Sequence, residues 1–177
     1  DAIDRVRHAD DRTADAGCRP ASLASVDAQA RLNGRMRWTT RPSTPDDATW
    51  IAELRAVVMR PDLERLGVYD ETRVRQRFLD AFDPALTRVI VIDGADAGSI
   101  AARPTSDGTW LEHFYLDERV QGAGIGTEVL AAALAEDHPL PWRLNVLQGS
   151  PARRLYERHG FTLESEDEVD VFLVRRH

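Results

Sequence analysis

The sequence predicts a single α/β (α+β) domain with a mixed sheet, and three observations lead to that fold class. Apolar residues recur at helical spacing up to about residue 82, and from residue 88 onward they form short β-branched runs. Glycine-containing turns separate those runs, as they do between neighbouring strands. A glycine-rich loop then joins a strand to a helix. The length of 177 residues suits one domain with a sizeable core.

Residues 1–35 differ in composition from the rest of the chain and are predicted to be an N-terminal extension, flexible or helical. They mix Asp, Arg and Ala with few large apolar residues, and residues 21–32 form their strongest helical pattern. Met36 opens the pattern of a domain that we expect to run over residues 36–177. The alternative is an N-terminal helix that packs on this domain or on a second subunit.

A first strand at residues 37–41 precedes two predicted helices. The run Ser-Thr-Pro-Asp-Asp at residues 43–47 is typical of a helix start, with proline in the first turn and acids near the positive helix end. Pro61 is predicted to break this helix, because proline lacks the N–H group and clashes with the preceding turn. The second helix, residues 70–82, carries one apolar side that includes Val74 and Phe78.

The rest of the chain alternates β-branched runs with helical patterns, each bounded by glycine, proline or polar turns. Ala152, Leu155, Tyr156 and His159 follow helical spacing in the last helix, and Gly160 is positioned to end it. The predicted order is β-α-α-β-β-β-α-β-α-β-β, with strands at 88–93, 97–103, 109–116, 142–147, 161–166 and 170–175 and helices at 124–137 and 151–159.

Charge and composition exclude several classes of function. The net charge of −7 repels a polyanion, so we expect no nucleic-acid ligand. No apolar run reaches the roughly 20 residues that span a bilayer, and no basic segment precedes an apolar one at the N-terminus, so we expect a cytoplasmic protein without a membrane partner. Cys18 is the only cysteine, and His8, His138 and His177 show no metal-ligand spacing, so no metal site is predicted.

The most informative segment is the glycine-rich loop between the third predicted β-branched run and the helix after it. Backbone N–H groups at a helix start lack intrahelical partners and point along the positive end of the helix dipole. Glycines let an anion approach them, which suits a pyrophosphate. The chain has no lysine, so this is not a P-loop, and the Gly-x-Gly-x-Gly spacing differs from the dinucleotide fingerprint. The loop and its first helical turn comprise Gln121, Gly122, Ala123, Gly124, Ile125, Gly126 and Thr127.

Two linked motifs resemble those of the GNAT acetyltransferase superfamily. Gln121, Gly124 and Gly126 match the family pattern Gln/Arg-x-x-Gly-x-Gly/Ala. Residues 152–161 match a second pattern, Ala-x-x-Leu-Tyr-x-x-x-Gly-Phe, and a helix and a strand separate the two, as in the family. The resemblance covers about residues 37–175. Ser150 stands where the family often has Asn, and its hydroxyl can still donate one hydrogen bond to the cofactor.

The resemblance implies a mixed, mostly antiparallel sheet of six to seven strands, flanked by about four helices and splayed between strands 4 and 5. It implies that acetyl-coenzyme A lies in that gap, with its pyrophosphate on residues 121–127 and its pantetheine arm on the backbone of Phe114 and Leu116. The expected activity is direct transfer of the acetyl group to a primary amine of a small molecule or peptide. The alternative is a catalytically silent acyl-coenzyme A sensor. A homodimer is possible, as dimers are common in such proteins.

Direct transfer needs a base for the ammonium and an acid for the leaving thiolate. The resemblance assigns the acid to Tyr156. Regular strand alternation would place Glu112 and His113 on opposite faces, so they compete for the role of base, and we prefer Glu112. The remaining alternative is a base elsewhere in the chain or water alone. Asn145 on the neighbouring strand is a candidate for orienting the amine. Tyr69 belongs to the predicted acceptor pocket.

Overall fold

The computed structural model describes residues 36–135 and 140–176, which contain seven strands and four helices. The strands are β1 (Trp38–Pro42), β2 (Thr87–Ile92), β3 (Ala95–Thr105), β4 (Gly108–Leu116), β5 (Trp142–Leu147), β6 (Thr162–Glu166) and β7 (Asp170–Arg175). The helices are α1 (Asp47–Arg65), α2 (Glu71–Ala81), α3 (Ile125–Leu134) and α4 (Ala152–Arg158). The predicted element order is confirmed for these residues. The prediction for residues 1–35 lies outside them.

All seven strands form one sheet in the order β1-β2-β3-β4-β5-β7-β6. Every neighbouring pair is antiparallel except β4 and β5, which are parallel. Those two strands pair only at Thr109 with Trp142 and at Trp110 with Arg143. Beyond these pairs they separate, so the sheet is splayed between strands 4 and 5, as predicted. We call this gap between β4 and β5 the cleft.

Hydrophobic side chains cover both faces of the sheet. The larger cluster lies between the sheet and helices α3 and α4, and it includes Leu130, Trp142, Leu144 and Leu173. The smaller cluster lies under α1 and α2 and contains Ile51, Ala52, Phe78 and Val89. None of the helices in the described segments is long and apolar enough to cross a membrane.

Helix α1 begins close to the predicted start, and Asp47 holds that start in place. Asp46 occupies the cap position without a side-chain cap bond. Asp47 is buried and accepts hydrogen bonds from the Thr44 N–H at 2.8 Å, the Trp50 indole N–H at 2.8 Å and both terminal nitrogens of Arg41. The Arg41 hydrogen bonds hold the pKa of Asp47 far below its usual range. This carboxylate therefore joins α1 to β1.

The prediction that Pro61 breaks the first helix is wrong, because α1 runs through it to Arg65. A proline with helical φ removes one backbone hydrogen bond, and neighbouring contacts can offset that loss. Here Arg65 donates to the Gln148 carbonyl in the β5–α4 loop at 2.5 Å and to Asp62 at 2.8 Å. Tertiary contact thus extends the helix past a residue that usually ends it.

A β-bulge in β4 changes which side chains share a face of the sheet. Ser99 pairs with Tyr115 and Ala101 with Glu112, so β4 carries one extra residue there. His113 has a φ of 51°, and its carbonyl accepts a hydrogen bond from the Ser99 hydroxyl at 2.7 Å.

The bulge reverses the side-chain alternation beyond Glu112. Leu111, Phe114 and Leu116 all pack on the α3–α4 cluster, although regular alternation would separate Leu111 from the other two. His113 instead contacts Phe78 of α2. The prediction that Glu112 and His113 lie on opposite faces is therefore wrong, because both lie on the α1–α2 face.

Candidate active site

The cleft ends at the glycine-rich loop that precedes α3. Gly122 and Gly124 have φ values of 75° and 88°, a region that residues with a Cβ rarely adopt. No atom lies within 4 Å of a Cβ built on either glycine, so the space beside the loop is open. The Thr127 N–H is bonded to the Gly124 carbonyl at 3.1 Å. The N–H groups ahead of Thr127, in the first turn of α3, are the ones that lack intrahelical partners.

The start of α3 lies directly against the splayed end of β4. A Cβ built on Gly126 would lie 3.4 Å from a Leu116 methyl group and 4.0 Å from the Phe114 ring. The Gln121 amide nitrogen donates to the Leu116 carbonyl at 2.8 Å. The predicted cofactor-contact residues of β4 and of the loop are therefore brought together, and Gln121 covers one of the two β4 backbone groups.

Ser150 lies on the other side of the cleft, in the loop between β5 and α4. Its N–H donates to the Leu147 carbonyl at 3.0 Å, and its carbonyl accepts from the Arg153 N–H at 3.2 Å. These bonds fix the backbone of the turn that leads into α4. The Ser150 hydroxyl group takes no part in them.

Tyr156 is buried on α4, where its ring makes an edge contact with Phe161 at 5.9 Å between centroids. Its exposed fraction is 8%. Within the described part of the chain its hydroxyl makes no hydrogen bond, yet it is not among the fully enclosed polar atoms. Burial raises the pKa of Tyr156, and the nearby Tyr115 hydroxyl adds to this. The hydroxyl is therefore protonated at neutral pH and has a hydrogen to donate.

The two candidate bases on β4 have different surroundings. Both Glu112 oxygens accept hydrogen bonds from Arg103 on β3, at 2.5 and 3.0 Å. His113 packs edge-on against Phe78, and its Nε2 atom is buried without a hydrogen-bond partner. Burial lowers the pKa of His113 to about 4. The imidazole is therefore neutral at pH 7 and weakly basic, whereas the Glu112 carboxyl group is paired with Arg103.

Tyr115 lies beside His113 on the same face. Its hydroxyl accepts a hydrogen bond from Arg55 Nε of α1 at 2.9 Å, and Arg55 also donates to the Val74 carbonyl of α2. This arginine thus joins both helices to β4 next to the cleft. Sequence reasoning missed it, since an arginine on a helix usually lies in solvent.

Asn145 on β5 donates from Nδ2 to Asp170 Oδ1 of β7 at 2.9 Å. Asp170 is buried, and burial raises the pKa of its carboxyl group. Sequence reasoning missed this residue too, because an acid at the end of a predicted strand usually lies in solvent. Asp170 could have been found only by pairing β5 with β7, because that pairing brings together Asn145 and a residue 25 positions away.

Tyr69 lies in the connection between α1 and α2, where the Arg60 guanidinium stands 5.0 Å from its ring centroid. The structure therefore places it on the helical wall of the domain, and Glu112, Asn145 and Tyr115 on the sheet. In residues 36–135 and 140–176 no group of three or more His, Cys, Asp or Glu side chains is arranged to hold a metal ion.

Comparison with known proteins agrees with this geometry. Residues 85–163, from the start of β2 into β6, match the family model described as an acetyltransferase (GNAT) domain. No protein of curated function matches the sequence significantly.

Three solved structures share the fold. A PaiA N-acetyltransferase from Thermoplasma acidophilum, in complex with coenzyme A, is 19% identical, covers 80% of this chain and 100% of its own, and has a TM-score of 0.65. An N-acetyltransferase from Staphylococcus aureus is 18% identical, with coverages of 76% and 98% and a TM-score of 0.60. Arabidopsis thaliana Naa50, in complex with the bisubstrate analogue CoA-Ac-MVNAL, is 14% identical, with coverages of 79% and 99% and a TM-score of 0.58.

The matched segment contains both sequence motifs, the cleft and the helix that carries Tyr156. The three structures share the fold over 76–80% of this chain. Over residues 85–163 the chain is therefore similar to the GNAT acetyltransferase domain, and its fold is that of these solved structures.

Proposed function

We propose that this protein is an acetyl-coenzyme A-dependent N-acetyltransferase whose acceptor is a primary amine of a small molecule or peptide. The observation that carries the proposal is the cleft with the glycine-rich start of α3 at its end. A Tyr156 hydroxyl that makes no hydrogen bond to the described residues supports it. The solved structures of the same fold that hold coenzyme A and a bisubstrate analogue support it.

The cofactor is proposed to bind with its pyrophosphate on residues 121–127. An anion there meets free N–H groups and the positive end of a helix dipole, and the open space beside Gly122 and Gly124 admits it. The pantetheine arm would extend along Phe114 and Leu116, which requires the Gln121 amide to leave the Leu116 carbonyl. Ser150 would donate its hydroxyl from the opposite wall.

Tyr156 is proposed as the acid that protonates the leaving thiolate. Its raised pKa keeps the proton on the hydroxyl at neutral pH, so a hydrogen is available to the thiolate that forms beside it. The acceptor amine would enter from the α1–α2 face, where Asn145 and Tyr69 belong to the proposed acceptor pocket. Of the two β4 candidates for the base, Glu112 is better supported than His113, because it is less enclosed and His113 is weakly basic.

A second function, a silent acyl-coenzyme A sensor, is favoured by one specific observation. Arg103 occupies both oxygens of Glu112, and His113 is weakly basic, so neither β4 residue is a free base in this structure. A sensor would need the cofactor site alone.

A thiol-release assay over a panel of primary amines, with acetyl-coenzyme A as donor, tests the proposal against the sensor. We expect thiol release that depends on one class of amine, together with coenzyme A binding measured by calorimetry. Binding without amine-dependent release would favour the sensor. Absence of both would contradict the cofactor site as well as the reaction.

A further inference from the structure

Asp170 is a buried carboxylate that accepts few hydrogen bonds from the described residues. Its exposed fraction is 7%, and the single hydrogen bond that its side chain accepts from the described residues comes from Asn145 Nδ2. That bond reaches Oδ1. The second oxygen, Oδ2, has no donor within the same residues and is not fully enclosed. A carboxylate at this depth normally has an ion partner or several hydrogen-bond donors. Because Asp170 has only one donor among the described residues, its burial does not stabilise the fold, and a functional role would explain it.

The sheet register places this carboxylate on the substrate side of the cleft. Val171 of β7 packs in the α3–α4 cluster, so Asp170 next to it points to the α1–α2 face. Asn145 points the same way and lies two residues beyond Arg143, where the pairing of β4 with β5 ends. Glu112 lies two residues beyond the same point on β4. The side-chain amide of Asn145 therefore lies at the edge of the cleft. Asp170 lies next to this amide on the neighbouring strand β7.

Charged groups on each packed element act on Asp170. Arg55 of α1 and Arg77 of α2 lower its pKa, and Asp167 of the β6–β7 turn raises it. Burial outweighs them, so the pKa lies above its ordinary value of 3.8. Arg55 also donates a hydrogen bond to the Tyr115 hydroxyl of β4, on the other side of the cleft. The same arginine therefore acts on Asp170 and on β4.

We propose that Asp170 accepts the proton of the acceptor's primary ammonium group, with Asn145 as the positioning residue that holds the carboxylate toward the cleft. This inference rests on the proposed function and names the base that the reaction at the same site uses. Glu112, paired with Arg103, then has a structural role.

The proposed reaction begins with proton transfer from the acceptor to Asp170. The ammonium gives one proton to Asp170 Oδ2, and the neutral amine attacks the thioester carbonyl, forming a C–N bond. The C–S bond then breaks, the thiolate takes the Tyr156 proton, and Tyr156 regains one from the positively charged amide nitrogen. Asp170 returns its proton to solvent after the products leave. The net products are the acetamide, free coenzyme A and one proton.

The proposal predicts an unusual combination of effects for Asp170→Asn. A folded-state pKa raised above the unfolded value makes the ionised group a cost to stability at every pH above the folded pKa, and the cost vanishes below about pH 3.8. Asparagine keeps the shape and an oxygen for Asn145 without the charge. The variant is therefore expected to melt at or above the wild-type temperature at pH 7 while losing turnover.

Wild type, Asp170→Asn, Glu112→Gln and the exposed control Glu166→Gln should be compared by thiol release across pH, coenzyme A calorimetry and thermal melting. We expect Asp170→Asn to lower kcat by about 100-fold or more and to remove the acidic limb of the kcat profile. Coenzyme A affinity should be unchanged. The exposed control Glu166→Gln should keep the limb, and Glu112→Gln tests whether Glu112 supplies it instead.

Four results would overturn the proposal. Turnover of Asp170→Asn within twofold of wild type would do so, as would loss of the acidic limb in Glu112→Gln alone. A melting temperature of Asp170→Asn well below wild type would assign it a structural role instead. A wild type that binds coenzyme A but acetylates no amine would overturn both this and the proposed function, and so is distinguishable from failure of the base assignment in an active protein.

Discussion

At the scale of single residues, Tyr156 combines burial with an unused hydroxyl. Because that hydroxyl makes no hydrogen bond to the described residues, Tyr156→Phe should leave the free energy of unfolding within about 0.5 kcal/mol of wild type. If the hydroxyl protonates the thiolate, kcat should fall by about 100-fold or more, with coenzyme A affinity unchanged. Single-turnover kinetics and calorimetry measure the two effects separately. Equal turnover in the variant would remove the acid role.

Asp47 shows the opposite combination, a buried carboxylate that is fully paired. Removing it in Asp47→Ala leaves Arg41 and the Trp50 indole without their acceptor, and we expect a loss of about 3 kcal/mol in the free energy of unfolding. The matched control is Asp46→Ala, since Asp46 is exposed and makes no cap bond, and it should change stability by less than about 0.5 kcal/mol.

The contribution of Asp47 also has a defined pH dependence. Its folded pKa is depressed below the ordinary 3.8, so its stabilisation is complete above that value and is lost as the pH falls through it toward the folded pKa. Urea denaturation at pH 7 and pH 3 should therefore show a smaller difference between wild type and Asp47→Ala at the lower pH. An unchanged difference would contradict the Arg41 pairing.

At the scale of elements, the loop before α3 can be tested apart from the strain of its backbone. Gly124→Asp puts a carboxylate where the pyrophosphate is proposed to bind, at a φ of 88°. Gly67→Asp is a matched control, because Gly67 also has a positive φ, 70°, and open space around its Cβ. Both should cost about 1–2 kcal/mol of stability. Only Gly124→Asp should weaken coenzyme A binding; an equal loss in Gly67→Asp would trace the effect to strain.

At the scale of the whole molecule, the described residues after Met36 supply a hydrophobic cluster on each face of the sheet. A chain that lacks residues 1–35 should therefore melt cooperatively and bind coenzyme A as the full chain does. Ligand at 100 times its Kd should stabilise both forms by about 2.7 kcal/mol, which differential scanning fluorimetry detects as a shift in melting temperature. Loss of cooperative melting in the shorter chain would show that the segment belongs to the domain.

Features set by residues close together in the sequence could be predicted, whereas features set by contacts between distant residues could not. β5 and β7 have the predicted bounds, because β-branched runs between turn residues leave few alternatives. Pro61 misled the prediction of α1, because the contact of Arg65 with Gln148 joins residues 83 positions apart. The faces of Glu112 and His113 were wrong because a bulge depends on the partner strand, which one strand's alternation does not reveal.

The sequence by itself determined the order of helices and strands, the glycine-rich start of α3 and the placement of Tyr156 on the last helix, since each depends on backbone preferences and periodicity within about ten residues. Only the tertiary structure decided which side chains meet at the cleft. Arg55 reaches Tyr115, and Asn145 reaches Asp170, through pairings between distant segments. Such contacts, and the desolvation that shifts the pKa of a carboxylate, arise only when the sheet and both layers of helices have closed around it.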